Sequence, residues 1–388
     1  MVSMMSDKNF AAASLAAQAM GWIDPVTRAV VPPIHMASTY QRDDDNGYRS
    51  GRVYARADNP TFDQAEATLA ALEGGPKALI FSSGMSAASA CFLALAPGDH
   101  VVAPKVMYWS LRNWLASFAT HWGLNVDFVD ADRTDAIAAA TKPGVTKLVW
   151  IETPANPTWS ITDIAAAADI AHRAGALLAV DSTVATPVLT RPIEHGADIV
   201  MHSATKYLNG HSDIIAGALI GARDDAYWAK LRTIRAQLGT IPGQTEAWLL
   251  MRGMRTLFPR MAWACRSAET LAERFAGHPM VDQVLYPGLP SFAGHATAKK
   301  QMTGGFSGML SVRVKGGERA AIATAARVGL WKRATSLGGV ESLIEHRASI
   351  EGPGTPCPTD LLRLSVGVED AGDLFDDLDQ AVRRAHNA

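Results

Sequence analysis

Between residues 60 and 220 the chain alternates helical stretches with short apolar runs, each run ending on a polar residue. That alternation narrows the fold choices more than any other feature. Residues 62–72 are helical in composition and are stopped by Gly74-Gly75-Pro76. Residues 78–81 form an apolar run, 86–95 read as a helix, and Pro97-Gly98-Asp99 turns the chain into the next strand at 100–103. Strands follow at 148–152, 177–180 and 199–202, with a helix at 164–174 capped by Gly175. Strands alternating with helices predict an α/β fold with a largely parallel sheet. Ligands in such sheets bind beyond the carboxyl ends of the strands. Ser82, Ser83, Glu152, Asp181 and Ser203 all fall at those ends.

Three parts are expected. Residues 1–50 lack periodicity and read as an N-terminal arm for subunit contact, and 51–245 as the α/β domain that binds a cofactor. Residues 246–388 read as a smaller α+β domain, with helices at 246–252 and 261–275, strands at 309–314 and 362–366, and a last helix at 371–385. That last helix runs from acidic to basic, which suits the helix dipole.

The charge balance excludes several functions. With 36 basic and 38 acidic residues the net charge is -2, which leaves no electrostatic footprint for nucleic acid or an anionic membrane. No stretch approaches about 18 uninterrupted apolar residues, so no membrane span is expected. Residues 10–20 are Ala-rich and follow Lys8, but Asp7, Ser14 and Gln18 interrupt any secretory core. Cys91, Cys265 and Cys357 form no C-x-x-C pair. A zinc ribbon is therefore not expected, and the cysteine usage fits a reducing, cytoplasmic setting. His202 and His211 lack a carboxylate-rich ligand set, so they read as structural histidines and no metal is expected.

The sharpest segment is Ser203-Ala204-Thr205-Lys206-Tyr207-Leu208-Asn209-Gly210. A lysine at a strand end is usually a solvated charge. Here hydroxyls flank it, so Ser203 and Thr205 can donate to a phosphate while Lys206 forms a Schiff base with an aldehyde cofactor. Asp181 ends the apolar run before it, 25 residues upstream, and either caps a turn or faces a protonated pyridine nitrogen. Ser82-Ser83-Gly84-Met85-Ser86 lies between a strand and a helix, where glycine admits close approach and helix N–H groups face an anion.

With these residues the sequence resembles the Cys/Met-metabolism family of pyridoxal-phosphate (PLP) enzymes: cystathionine β- and γ-lyases, cystathionine γ-synthase, methionine γ-lyase and O-acylhomoserine sulfhydrylases. The matching motifs run from Pro32 to Glu369. They include Tyr54-Ala55-Arg56-Ala57-Asp58-Asn59-Pro60-Thr61, Glu152-Thr153-Pro154-Ala155-Asn156-Pro157, Ser336-Leu337-Gly338-Gly339-Val340-Glu341-Ser342 and Arg363-Leu364-Ser365-Val366-Gly367. The resemblance implies a PLP-dependent transferase fold of the aspartate aminotransferase type, fold type I, with a large mostly parallel-sheet domain and a smaller α+β C-terminal domain. It implies that Lys206 holds PLP and shuttles protons, that Asp181 pairs with the pyridinium, and that Gly84, Met85, Ser203 and Thr205 hold the phosphate. Tyr108 would stack on the ring and Asn156 would lie by its hydroxyl. Arg363 would clamp the substrate carboxylate, with Ser336 helping to place that carboxylate or the lysine. Tyr54 and Arg56 would reach the phosphate of a neighbouring subunit, in a homotetramer built as a dimer of dimers with shared active sites.

Two departures bear on specificity. Many members carry Tyr-Gly-Gly-Thr where this chain has Tyr108-Trp109-Ser110-Leu111. The residue before Ser-Leu-Gly-Gly is often Glu in cystathionine γ-lyases and γ-synthases and aromatic in some bacterial β-lyases; here it is Thr335. Arg333 would share its face in an extended segment and read a polar substrate tail. The Pro/Gly-rich loop 347–359 could cover the entrance. The expected activity is elimination of the β- or γ-substituent of a small sulfur amino acid, cystathionine first. Alternatives are γ-replacement, as in cystathionine γ-synthase or O-acylhomoserine sulfhydrylase, and a γ-lyase acting on a non-sulfur leaving group.

Overall fold

The computed structural model describes residues 10–352 and 354–386. Residues 1–9 of the expected arm, Pro353 of the Pro/Gly loop and the last two residues lie outside the described residues. Strands β1 (Lys77–Phe81), β2 (His100–Pro104), β3 (Asn125–Val129), β4 (Thr146–Glu152), β5 (Leu177–Asp181), β6 (Ile199–His202) and β7 (Gly217–Gly221) form one seven-stranded sheet. Its order is β1-β7-β6-β5-β4-β2-β3. Strands β2 to β6 pair in parallel, while β7 runs antiparallel to both β1 and β6.

Side chains alternate across these strands, so each strand feeds two cores. On one face Phe81, Val101, Leu148, Trp150 and Met201 pack with Ala87 and Cys91 of helix Gly84–Leu93. On the other, Val149, Ile151, Leu178 and Val180 meet Ala167 and Ala171 of helix Ile164–Arg173. Helix Pro60–Glu73 covers Ile80, Val200 and Ile220. It starts where the Asn59 side chain accepts the Thr61 N–H with Pro60 in the first turn, and stops at Gly74 with φ of 74°.

A second sheet holds β8 (Val281–Leu285), β9 (Met309–Val314), β10 (Lys332–Arg333), β11 (Leu343–His346) and β12 (Leu361–Ser365) in the order β10-β11-β12-β9-β8. Leu362 and Leu364 face Leu271 and Phe275 of helix Leu257–Phe275 and Leu374 and Leu378 of helix Ala371–His386. Strand alternation therefore sends Arg363 to the opposite side. The two sheets are tied together through Ser311, whose hydroxyl accepts the Trp159 indole N–H at 2.9 Å and donates to the Pro157 carbonyl at 2.8 Å.

The α/β architecture and its largely parallel sheet match the sequence expectation. Strand β7, Gly-Ala-Leu-Ile-Gly, was not among the expected strands. Its first glycine is required by packing: a Cβ on Gly217 would sit 2.1 Å from the Ser83 carbonyl oxygen. Residues 12–17, within the expected arm, form a short helix whose Ala16 joins the core of helix Pro60–Glu73. An alanine-rich run needs little to become helical. Gly217→Ala should push the start of helix Gly84–Leu93 off the sheet and cost about 1–3 kcal/mol of stability. Chemical denaturation checks this, and an unchanged midpoint would contradict the packing argument.

Candidate active site

The carboxyl ends of β4, β5 and β6 bring the polar residues together. Glu152 and Asp181 are register partners, and Asp181 in turn pairs with Met201. Just past Asp181, the Thr183 hydroxyl donates to Asp181 Oδ1 at 2.5 Å and accepts the Ser203 N–H at 2.8 Å. One hydroxyl thus locks the acid to the segment that carries Lys206. Asp181 is buried in the wall of a cavity, and burial pushes its carboxyl up from the ordinary range.

Lys206 follows β6 in a turn, and its Nζ donates to Ser336 Oγ at 2.8 Å. Burial lowers the lysine from 10.5 to about 8, assisted by the positive charge of Arg363. Ser336 sits at φ of 109°, a strained conformation for a residue with a side chain. It is held there at both ends: its hydroxyl by Lys206, and its carbonyl by Arg363 Nη2 at 2.8 Å.

An anion cradle lies on the other wall. Ser83 caps helix Gly84–Leu93 by accepting the Ser86 N–H at 3.0 Å. The amides of Gly84 and Met85 open the helix and have no acceptor within it. A Cβ on Gly84 would lie 2.8 Å from Ser203 Oγ, so only glycine lets that hydroxyl stand beside the helix start. Thr205 lines the same cavity, but its hydroxyl exchanges hydrogen bonds with the Ala216 backbone at 3.0 Å in both directions.

Arg363 is buried, and burial lowers its guanidinium to about 10. It reaches Asn156 Oδ1 at 3.3 Å, the Ser336 carbonyl, and Glu345 Oε2 at 2.6 Å. Thr335 is exposed and donates its hydroxyl to Glu345. Arg333 is exposed on β10.

Tyr108 precedes helix Trp109–Trp114 at the cavity rim, 41% exposed. Its backbone N–H donates to Glu152 Oε2 at 2.7 Å, while Glu152 Oε1 accepts the Asn156 N–H at 2.9 Å. Glu152 therefore fixes the two residues expected to flank the ring. The sequence expectations gave it no role, although its place at a strand end was the signal. Burial and the Asp181 charge push it up to about 8. Leu111, rather than Trp109, lines the cavity.

Lys206, Asp181, Gly84, Met85, Ser203, Thr205, Tyr108 and Asn156 thus line one cavity, with Ser336 and Arg363 bonded to its lining residues. Tyr54 and Arg56 are not brought in. Tyr54 is 48% exposed under the Arg56 guanidinium, and Arg56 donates to the Ala236 carbonyl at 2.8 Å. Of the two histidines read as structural, His202 is fully buried against Glu73 at 2.6 Å and His211 bonds the Asn209 carbonyl at 2.8 Å. No group of three or more metal-ligating side chains occurs among the described residues.

This donor set fits PLP. It offers an amine depressed toward neutrality, a buried carboxylate that gains from facing a cationic ring nitrogen, and a helix N-terminus with a hydroxyl for a phosphate. Fold and site together define a fold type I PLP-dependent enzyme. The chain belongs to the Cys/Met metabolism PLP-dependent enzyme family, which matches residues 13–383. It is 45% identical over 365 residues to a cystathionine gamma-synthase of Mycobacterium tuberculosis, covering 92% of this chain and 93% of that protein. It is 41% identical to an L-methionine gamma-lyase of Porphyromonas gingivalis, covering 92% of this chain and 94% of that protein. The structure of cystathionine gamma synthase from Xanthomonas oryzae pv. oryzae in complex with cystathionine superposes with a TM-score of 0.93 at 37% identity. That superposition covers 98% of this chain and 100% of the other.

The depressed lysine gives a pH test. Its uncharged, nucleophilic form dominates above about 8 rather than above 10.5. Loading of cofactor-free protein with PLP, followed by visible absorbance, should therefore speed up as pH rises through about 8 and then level off. Lys206→Ala should give no such band.

Proposed function

We propose that the chain removes the γ-substituent of a sulfur amino acid, cystathionine first, releasing a thiol, ammonia and a 2-oxo acid. The observation that carries this reading is the bonded line Lys206–Ser336–Arg363, which ties a proton-carrying amine to a carboxylate-binding guanidinium across one cavity. The relatives named above support work at Cγ over Cβ.

When bound, PLP supplies an electron sink that stabilises negative charge on the substrate α-carbon. Arg363 holds the α-carboxylate through a planar fork suited to it, and so fixes which Cα bond faces the amine. Lys206 Nζ would take the α-proton; its lowered pKa makes it an uncharged base above about pH 8, where an exposed lysine stays charged. Ser336 aims that amine by accepting its hydrogen bond. Asp181 would stabilise the cationic ring nitrogen, and Gly84, Met85 and Ser203 would anchor the phosphate; Thr205 would join them by giving up its bond to the Ala216 carbonyl. Loss from Cγ needs a second proton taken from Cβ, and Lys206 Nζ and Tyr108 Oη, from two residues that line the cavity, would carry it. Asn156 and Tyr108, both held by Glu152, orient the ring.

γ-Replacement is the second reading, favoured by the two synthases among the relatives above. Elimination and replacement share the same early proton transfers and differ in whether a thiol reaches the intermediate before release. Thr335 offers no carboxylate to a substrate tail, which leaves that choice to the rest of the rim.

Tyr54 and Arg56 belong in this scheme to the cavity of a second copy, in dimers that pair into a tetramer. Exposed apolar residues of the same N-terminal stretch, Val26, Val30, Met36 and Val53, support a covered surface. The division into an arm at 1–50, a PLP-binding domain at 51–245 and a C-terminal domain at 246–388, and a cytoplasmic location, are part of the same proposal. No helix among the described residues is long and apolar enough to cross a membrane.

The test is the product. PLP-loaded protein given L-cystathionine should yield 2-oxobutyrate and cysteine. Pyruvate with homocysteine would move the chemistry to Cβ. Thioether formed from O-acylhomoserine and cysteine, with no keto acid, would establish the replacement reading instead. In the same assay Asp181→Asn should lower kcat at least about 100-fold. Arg363→Lys should mainly raise KM, since losing the fork removes about 1.5–3 kcal/mol of charge-assisted bonding.

A further inference from the structure

The guanidinium assigned to the substrate carboxylate is already held by a carboxylate of the chain itself. Glu345 Oε2 lies 2.6 Å from Arg363 Nη2 and 2.9 Å from Arg347 Nη1. One oxygen is thus shared by two guanidinium groups, while Glu345 Oε1 accepts the Thr335 hydroxyl. The other edge of Arg347 is bound by Glu351 Oε1, at 2.9 Å from Nη2 and 3.3 Å from Nε. Glu351 Oε2 in turn accepts from Thr355. All four charged side chains are buried, with Glu351 the most exposed at 9%. Two positive and two negative groups make the cluster neutral, so it is satisfied without ligand.

An incoming carboxylate changes this balance. To take Arg363 it must displace Glu345, and a buried carboxylate stripped of its partner is strongly unfavourable. Arg347 is placed to prevent that, because the same Glu345 oxygen is already bonded to it. We propose that Arg347 is a positioning residue that retains Glu345 when a substrate α-carboxylate takes Arg363. The clamp then exchanges an internal carboxylate for an external one with no charge stranded. Glu345 also becomes an internal competitor: an amine without a carboxylate cannot displace it, so the cluster selects for α-amino acids. The inference rests on the reading of Arg363 as the carboxylate clamp.

The residues form a mutational cycle read by binding rather than turnover. PLP-loaded protein is titrated with L-alanine, which carries the carboxylate but no leaving group, and the change in the cofactor absorbance band gives Kd. Arg347→Met should weaken L-alanine at least about tenfold, because Glu345 then has only Arg363. Glu345→Gln should bind L-alanine at least as tightly as wild type, since the competitor has lost its charge. Adding Arg347→Met to Glu345→Gln should change Kd by less than about threefold, because the group that ligand displaces no longer carries a charge, and Glu351 loses Arg347 in free and bound protein alike. A general structural role for Arg347 predicts the same loss in both backgrounds, and that result would overturn the proposal, as would a tenfold loss in Glu345→Gln alone. Should Arg347→Met fail to fold, Arg347→Lys carries the comparison: it keeps the charge and should bind L-alanine more tightly than any neutral replacement that folds, such as Arg347→Gln. Failure of the underlying reading looks different. It would show as an absent PLP band, or as Arg363→Gln binding L-alanine like wild type.

Discussion

The Thr183 hydroxyl is the small contact on which the site's geometry hangs. It donates to Asp181 and accepts the Ser203 amide, so it joins the end of β5 to the segment leaving β6. Asp181 is thereby aimed into the cavity, and Ser203 is held against the start of helix Gly84–Leu93 at a distance only glycine allows. Asp181 and Ser203 are thus both positioned from this one hydroxyl. Parallel pairing of β4, β5 and β6 makes the arrangement possible, because their carboxyl ends lie side by side.

Charge in the site is organised by burial more than by pairing. Glu152 and Asp181 are both pushed up, Lys206 and Arg363 both down, and in each case burial is the largest cause. Each group is thereby moved toward its neutral form. A cationic group facing Asp181 would relieve it. A depressed lysine is ready as a nucleophile or base at a pH where an exposed lysine stays charged. Such tuning does not stabilise the fold. Its value lies in the chemistry it permits.

Much of the cofactor side of the site was legible in the sequence because it is local. Lys206, Ser203 and Thr205 share one turn, Asp181 ends an apolar run, and Gly84 opens a helix, so strand-end logic found them without coordinates. The α/β alternation was legible for the same reason: continuous apolar runs and glycine stops are local signals. Strand β7 escaped, and the reason for its first glycine, the Ser83 carbonyl lying against Gly217, is visible only in the fold. Glu152 was visible at its strand end, but its bonds to Tyr108 and Asn156 depend on where two loops return. Tyr54 and Arg56 stand apart in a single chain, so a shared site remains a matter of the assembly.

The substrate side was the least legible, and the reason is topological. Thr335, Glu345, Arg347 and Arg363 lie on three segments that meet only because β11 pairs antiparallel with β12, with Glu345 opposite Arg363. A residue such as Thr335 therefore cannot be judged by its own chemistry. Its hydroxyl is spent on Glu345, and its effect on a ligand passes through the Arg363 that Glu345 holds. From Arg363 the same bonds continue through Ser336 to Lys206. Two hydrogen bonds and one strained residue thus join the guanidinium to the amine. In the proposed reaction these would be the group that recognises substrate and the group that moves the proton, parts of one connected set.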